Sequence, residues 1–280
     1  MCTMIIMIDT ILQLFSYDFM IRALLAGVMI ALTAPVIGTF LVIRRFSLVA
    51  DTLSHIALAG VAISILTGGQ PVVVTVIVTV LAALLIERVR SRQSLSGDAV
   101  LAMFLPGGLA LSIVLLSLAH GLNASVLGYL FGSITTVRAD ELVVMALLGT
   151  VTWIAVVRLY DHLLYASFDE AAARVGGVNV PLVNSALMVL TAVTVSIAIR
   201  VVGVLLIGAL MVIPVVTAMQ IARSFKQTLA YSILFALIAV ILGLIIAYVA
   251  NIPAGGAIVL LALFIFGVVS THARIREKKL

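Results

Sequence analysis

The chain of 280 residues contains few charged residues and a single cysteine, Cys2. Charged residues make up 10% of the sequence, whereas soluble domains contain about 25%. One cysteine cannot form an internal disulfide or a zinc site built from several cysteines. A hydrophobic content of 64% exceeds what one water-soluble core can bury. The composition therefore excludes an ordinary soluble globular domain.

Lysine is also scarce, with Lys226, Lys278 and Lys279 as its only occurrences. None of them completes a G-x-x-x-x-G-K-S/T loop, which excludes ATP binding through a P-loop in this chain. The H-E-x-x-H motif of zinc hydrolases is missing as well, and a hydrolytic zinc site needs three protein ligands besides water. We therefore predict that the chain is not an enzyme in its own right, and we disfavour an intramembrane enzyme with a hydrolytic metal site.

Long hydrophobic runs fill most of the sequence. A helix needs about 20 apolar residues to cross the hydrocarbon core of a bilayer. We predict an all-α membrane protein, a polytopic bundle of nine transmembrane helices, or eight if the third or seventh run is re-entrant. The predicted spans are Phe19–Ile43, Leu53–Leu66, Pro71–Ile86, Asp98–Leu118, Leu142–Val157, Pro181–Ile199, Val201–Ile221, Thr228–Val249 and Gly255–Ser270.

The basic residues indicate how this bundle is oriented. With the N-terminus outside and the C-terminus in the cytoplasm, all of them except Arg22, Arg138 and Arg200 face the cytoplasm. Positive charge is enriched on that side of membrane proteins, so topology explains the basic composition without a nucleic-acid partner. We predict an extracellular segment over residues 1–18, one transmembrane domain over 19–271 and a basic cytoplasmic tail over 272–280.

Two ionisable residues stand at the start of the second run, in Asp51-Thr52-Leu53-Ser54-His55. Residues four apart lie on one face of a helix, one turn apart. A carboxylate and an imidazole in that arrangement suit a divalent transition metal such as zinc. The structural alternative is that Asp51 complements the helix dipole and that His55 hydrogen-bonds to it. The spacing leaves both open.

The other ionisable residues near spans give weaker signals. Arg200 is the only charge in the long run Pro181–Ile221, and it either extends to the membrane surface or pairs with a carboxylate. His120, His162 and His272 stand at predicted helix ends or in loops, where we expect interfacial or solvated side chains.

A short helix is predicted within residues 167–177, between the fifth and sixth spans. Ser167 followed by Glu170 matches a capping box, and the intervening alanines favour a helix. Gly176 and Gly177 are expected to end it. Such a helix either docks on a partner protein or merely connects two spans.

Five stretches, in order along the chain, resemble the permease family of bacterial zinc, manganese and iron ABC importers, and the zinc branch most closely. The resemblance extends from Tyr17 to Ser270. One departure is Pro106-Gly107-Gly108, which predicts a local break in the fourth span. The stretches are Gly38–Arg45 with Asp51–Gly60, Tyr129–Ile134, Phe168–Gly176, Arg200–Pro214 and Ile252–Leu260.

The resemblance implies a permease in the bacterial plasma membrane that works with other subunits. These are a second permease copy, cytoplasmic ABC ATPase subunits and an extracellular metal-binding protein, with lipid around the spans. It implies that Asp51 and His55 lie on the pathway of a transported zinc ion, with no permanently bound cofactor. It also implies that a coupling helix contacts the ATPase through Phe168, Asp169, Glu170, Ala173, Arg174 and Gly176.

Several alternatives stay open beside this interpretation. The imidazole ligand favours zinc as the transported ion, but the same mechanism would also serve manganese or iron. A secondary transporter would use Asp51 and His55 as an ion relay without an ATPase. A permease for a large chelate needs a wider polar cavity than this composition offers. Because zinc usually takes four ligands, we hypothesise that Asp51 and His55 from two chains converge on one ion.

Overall fold

The computed structural model describes residues 17–92, 97–119, 124–133 and 137–277, where all regular secondary structure is helical. Eleven helices follow one another through these ranges. They are α1 Asp18–Ile43, α2 Leu48–Thr67, α3 Pro71–Arg92, α4 Gly97–Leu118, α5 Ala124–Phe131, α6 Ala139–Phe168, α7 Glu170–Val175, α8 Val180–Val202, α9 Ile207–Met219, α10 Phe225–Ala250 and α11 Ala254–Glu277.

Eight of these helices are long and apolar enough to cross a membrane, namely α1, α2, α3, α4, α6, α8, α10 and α11. The predicted all-α membrane bundle is therefore confirmed. The predicted seventh span, Val201–Ile221, contains only the 13-residue helix α9. At a rise of about 1.5 Å per residue, α9 is shorter than the hydrocarbon core of about 30 Å. Among the described residues the count of long helices is thus eight.

The break between α8 and α9 lies at Gly203, three residues beyond the position predicted at Arg200. Gly203 has a φ of 85°, which favours glycine. A Cβ at this position would lie 2.4 Å from the Gly132 nitrogen. The Val204 N–H donates to the Tyr129 carbonyl oxygen at 2.9 Å. Backbone contacts with the end of α5 therefore determine where α8 stops.

Three helices form the centre of the bundle, with most of α1, α2 and α8 buried inside the protein. α2 packs against α3 and α4, whereas α1 packs against α6, α9 and α10, and α8 contacts both central neighbours. The outer helices expose large apolar side chains, as expected for surfaces in contact with lipid or another subunit. Examples are Leu81, Met103, Leu147, Val157, Leu260 and Phe264.

Two further expectations about helix limits are wrong. α4 continues without a break through Pro106 and Gly107, because transmembrane helices tolerate proline when neighbouring groups satisfy the freed backbone. α6 continues past Val157 to Phe168, so Asp161 and His162 are exposed helical residues and not part of a loop. His120, residues 1–16 and residues 278–280 lie outside the described residues.

Candidate metal site and coupling segment

Asp51 and His55 lie one turn apart on α2, as the spacing predicts. The helix begins at Leu48, so Asp51 is in its first turn. Both side chains are partly buried, and they interact electrostatically. α2 is one of the central helices, yet neither side chain of the pair is fully buried.

The Asp51 carboxylate contacts the first turn of α9. A Cβ built on Gly208 would lie 1.8 Å from Asp51 Oδ1, so only glycine leaves room for the carboxylate at this point. The N-terminal turn of a helix stabilises a negative charge, and Asp51 is in such a turn of α2 and beside that of α9. The sequence offered no sign of this contact beyond a glycine in a hydrophobic run.

The His55 ring has one buried nitrogen, Nδ1, without a hydrogen-bond partner among the described residues. The residue is held instead through its backbone, because the Ser112 hydroxyl on α4 shares its one proton between the His55 and Gly108 carbonyl oxygens, each 2.7 Å from Oγ. Nearly all buried polar atoms in proteins are hydrogen-bonded. The predicted structural role, a hydrogen bond from the ring to Asp51, is absent from the part of the chain that the structure describes. The imidazole therefore retains a coordination position.

The described part of one chain supplies too few ligands for a complete transition-metal site. Within it, no three or more histidine, cysteine, aspartate or glutamate side chains lie close enough together to hold one metal ion. Zinc is usually four-coordinate in proteins. Asp51 and His55 can contribute two ligands, which leaves about two positions of a four-coordinate site to groups other than those described side chains.

The predicted coupling segment contains the short helix α7, Glu170–Val175. Asp169 caps it, with Oδ1 accepting the Ala171 and Ala172 N–H groups at 2.9 Å each. The predicted capping box at Ser167 is wrong, because Ser167 belongs to the last turn of α6 and its Oγ donates to the Leu163 carbonyl oxygen. The C-terminal limit is confirmed, since Gly176 follows the last helical residue.

One side of this segment is exposed. Phe168 is 68% and Val175 is 91% exposed, and Ala171, Ala172 and Arg174 are exposed beside them. Ala173 is buried against the bundle, so this predicted coupling residue does not reach the free surface. The segment therefore presents a small, largely apolar surface with an acidic start at Asp169 and Glu170.

Arg44, which the sequence indicated only as a topology signal, connects α1 with this segment. Its Nη2 donates to Glu170 Oε1 at 3.2 Å and to the Ala166 carbonyl oxygen at 2.9 Å. Burial lowers the pKa of the Arg44 guanidinium, and the Glu170 carboxylate acts in the opposite direction. Glu170 thus offsets part of the cost of burying this charge.

A buried ion pair lies at the opposite end of the bundle. Arg200 pairs with Glu141 in the first turn of α6, and its guanidinium lies 4.5 Å from the Tyr129 ring centroid. Of the two predicted roles of Arg200, pairing with a carboxylate is therefore the one observed. Gly255 also packs here, since a Cβ on it would lie 2.0 Å from the Val202 carbonyl oxygen. Three of the five family-like stretches meet at this end.

Comparison with known proteins identifies the family. The model of the ABC 3 transport family matches residues 16–273. The chain belongs to the ABC 3 transport family. This match covers nearly the whole sequence and confirms the resemblance that the five stretches indicated.

Named relatives agree with this membership. The high-affinity zinc uptake system membrane protein ZnuB of Haemophilus influenzae is 28% identical over 250 residues, 89% of this chain and 96% of that protein. The manganese transport system membrane protein MntC of Listeria monocytogenes is 31% identical over 254 residues, 90% of each. The structure of PsaBC from Streptococcus pneumoniae in complex with Fab has a TM-score of 0.84 and 30% identity, covering 93% of this chain and 94% of that one.

These ABC 3 relatives are membrane components of transport systems. They confirm the predictions that this chain is a multi-pass protein of the bacterial inner membrane and that it is not itself an enzyme. Their names divide between zinc and manganese, so similarity alone does not select the metal.

Proposed function

We propose that this chain is the membrane-spanning permease of an ABC importer that moves zinc into the cell. Membership of the ABC 3 family and the names of the relatives support metal transport. The observation that carries the site is the Asp51–His55 pair. Its carboxylate lies against α9, and one imidazole nitrogen has no hydrogen-bond partner among the described residues. Imidazole ligands favour zinc, whereas oxygen-rich sites favour manganese.

The number of ligands supports a shared site. Two chains related by a twofold axis would supply two carboxylates and two imidazoles, which matches the usual coordination number of zinc. A site that is completed only between subunits also suits transport, because the ion must leave as readily as it enters. Metal analysis of the purified importer should find one zinc per two permease chains, and one zinc per chain would contradict shared coordination.

The exposed face of α7 is our candidate docking surface for the cytoplasmic ATPase. Energy must come from a separate subunit, because this chain lacks a P-loop. In this arrangement the end that carries Arg44 and α7 faces the cytoplasm, in agreement with the positive-inside rule. The opposite end, with Arg200, would receive the ion from an extracellular metal-binding protein.

Uptake of zinc and manganese in metal-starved cells tests the metal site. His55→Ala should lower zinc uptake by at least about tenfold, since even outer-sphere partners of metal ligands have effects of that size. His162→Ala is the matched control, because His162 is exposed on α6. Loss of manganese uptake alone would show that the transported ion is manganese and not zinc. Equal zinc uptake by the two variants at matched membrane expression would remove His55 from the pathway.

Co-purification of the ATPase subunit tests the docking surface. Val175→Asp places a charge on the most exposed apolar side chain of α7 and should abolish co-purification. Val175→Ala keeps the surface apolar and should retain the ATPase. Retention of the ATPase by both variants would place the docking surface elsewhere.

A further inference from the structure

The turn between α1 and α2 has a fixed backbone. The Arg45 N–H donates to the Val42 carbonyl oxygen at 3.1 Å, and the Phe46 N–H donates to the Leu41 carbonyl oxygen at 2.8 Å. This is the pattern of a Schellman motif, with Arg45 at the left-handed position usually taken by glycine (φ 60°). α2 begins at Leu48 directly after this turn, and Asp51 follows in its first turn.

Arg44 attaches one side of the turn to the coupling segment. Its side chain is only 3% exposed, although its partner Glu170 is 44% exposed. One guanidinium nitrogen, Nη2, contacts both the Ala166 carbonyl oxygen near the end of α6 and the Glu170 carboxylate at the start of α7. The residue therefore spans the junction between these two helices from beneath the exposed surface.

Phe46 attaches the other side of the turn to α3. The Arg90 guanidinium lies 4.2 Å from the Phe46 ring centroid, within the range of a cation–π interaction. Arg90 is itself fixed by two hydrogen bonds to Glu87, at 2.8 Å and 3.0 Å. Such paired bonds restrict the orientation of the guanidinium as well as its position. The turn is thus held between α3 and the coupling segment.

We propose that Arg44 is a positioning residue that links movement of α7 to the metal pair on α2. A displacement of α7 acts on Arg44 through Glu170, and the hydrogen-bonded turn passes it to the first turn of α2, which carries Asp51. Coupling between distant sites is carried by such contiguous networks of packed and hydrogen-bonded groups. The inference rests on the proposed function, in which α7 binds the ATPase and Asp51 binds the transported ion.

The test measures zinc transported per ATP hydrolysed by the complete importer in proteoliposomes. Arg44→Met should lower this ratio by about tenfold while the ATPase still co-purifies, because the docking surface is unchanged but its link to α2 is lost. Glu170→Gln should lower the ratio less, since the bond from Arg44 to Ala166 remains. The double variant should transport no worse than Arg44→Met, because residues that act through each other have non-additive effects.

Matched variants separate coupling from folding. Arg44→Lys keeps the positive charge and should recover part of the ratio, and Asp161→Asn removes an exposed carboxylate of α6 and should leave the ratio unchanged. If Arg44→Met fails to fold, Glu170→Gln complexes that retain the ATPase on co-purification are compared with Asp161→Asn, because both changes remove accessible carboxylates. A lower ratio in Glu170→Gln alone supports the link, and an equal ratio in the two variants overturns it.

Three results would overturn the inference. The first is a wild-type ratio of zinc transported to ATP hydrolysed in Arg44→Met or in Glu170→Gln. The second is a double variant whose loss of this ratio is the product of the two single losses. The third is loss of the ATPase from the Arg44→Met complex. The last would make Arg44 part of the docking surface. Failure of the proposed function would be recognised by different results. The wild-type importer would then transport neither zinc nor manganese, or His55→Ala would transport zinc normally.

Discussion

Neutralising Glu141 should destabilise the permease far more than neutralising its neighbour Asp140. Glu141 is buried and pairs with Arg200, whose side chain is 11% exposed. Asp140 also forms an ion pair, with Arg138, but those side chains are 54% and 73% exposed. Glu141→Gln and Asp140→Asn therefore remove the same charge one residue apart, in a buried and in a solvated environment.

The magnitude follows from what Glu141→Gln leaves behind. Removing one partner of a buried ion pair costs about 3–5 kcal/mol, because the other charge remains buried without compensation. The glutamine oxygen can still accept a hydrogen bond, so we expect about 3 kcal/mol. Replacing both partners with Glu141→Gln and Arg200→Met should recover most of this loss, because the second change removes the buried charge that Glu141→Gln leaves without compensation. An exposed pair contributes little, so Asp140→Asn should have no measurable effect.

Unfolding titrations with SDS in mixed micelles, followed by loss of helical circular dichroism, measure these differences. The predicted order of stability is wild type equal to Asp140→Asn, then the double variant, then Glu141→Gln. Equal stability of Glu141→Gln and Asp140→Asn would show that burial of the Glu141–Arg200 pair does not raise the cost of losing one partner. A double variant less stable than Glu141→Gln would show that the contact of Arg200 with Tyr129 matters more than its pairing with Glu141.

Three further predictions concern close contacts. Gly208→Ala places a methyl group against the Asp51 carboxylate and should lower zinc uptake by about tenfold, whereas Gly256→Ala, with open space around it, should transport normally; equal uptake would separate Gly208 from the site. Gly203→Ala places a Cβ against backbone atoms at a positive φ, so it should lower the unfolding free energy in SDS titration by at least about 2 kcal/mol. Gly107→Ala, where a Cβ meets open space, should lower it by nothing measurable. Equal losses in the two variants would contradict the role given to Gly203 in ending α8. Ser112→Ala removes one hydrogen bond between α4 and α2, worth about 0.6 kcal/mol in membrane proteins, so zinc uptake should stay close to wild type. A large loss of uptake would show instead that Ser112 positions His55.

Sequence reasoning predicted the features that depend on local composition. In lipid, backbone groups must be satisfied within a helix, so hydrophobic runs predict helices directly. The relation of Asp51 to His55 follows from the helical period alone. The fold class and the face of α2 that carries the pair were accessible for this reason.

The features that were missed depend on contacts between distant segments. Arg44 and Glu170 are 126 residues apart, and Arg200 and Glu141 are 59 apart, so no spacing rule connects them. The end of α8 is determined by the backbone of residues 129–132, which moved the break from Arg200 to Gly203. The cap of α7 shifted from Ser167 to Asp169 because α6 extends further than its hydrophobic run.

ATP-driven zinc accumulation by the purified importer in proteoliposomes tests whether the Asp51–His55 pair lies on the path of the zinc ion. The assay compares wild type with His55→Ala and His162→Ala, each assembled with the same ATPase subunit and metal-binding protein. We expect wild type and His162→Ala to accumulate zinc when ATP is supplied, and His55→Ala to accumulate none although its ATPase remains bound. Equal zinc accumulation by His55→Ala and wild type would contradict the claim that Asp51 and His55 form the metal pathway.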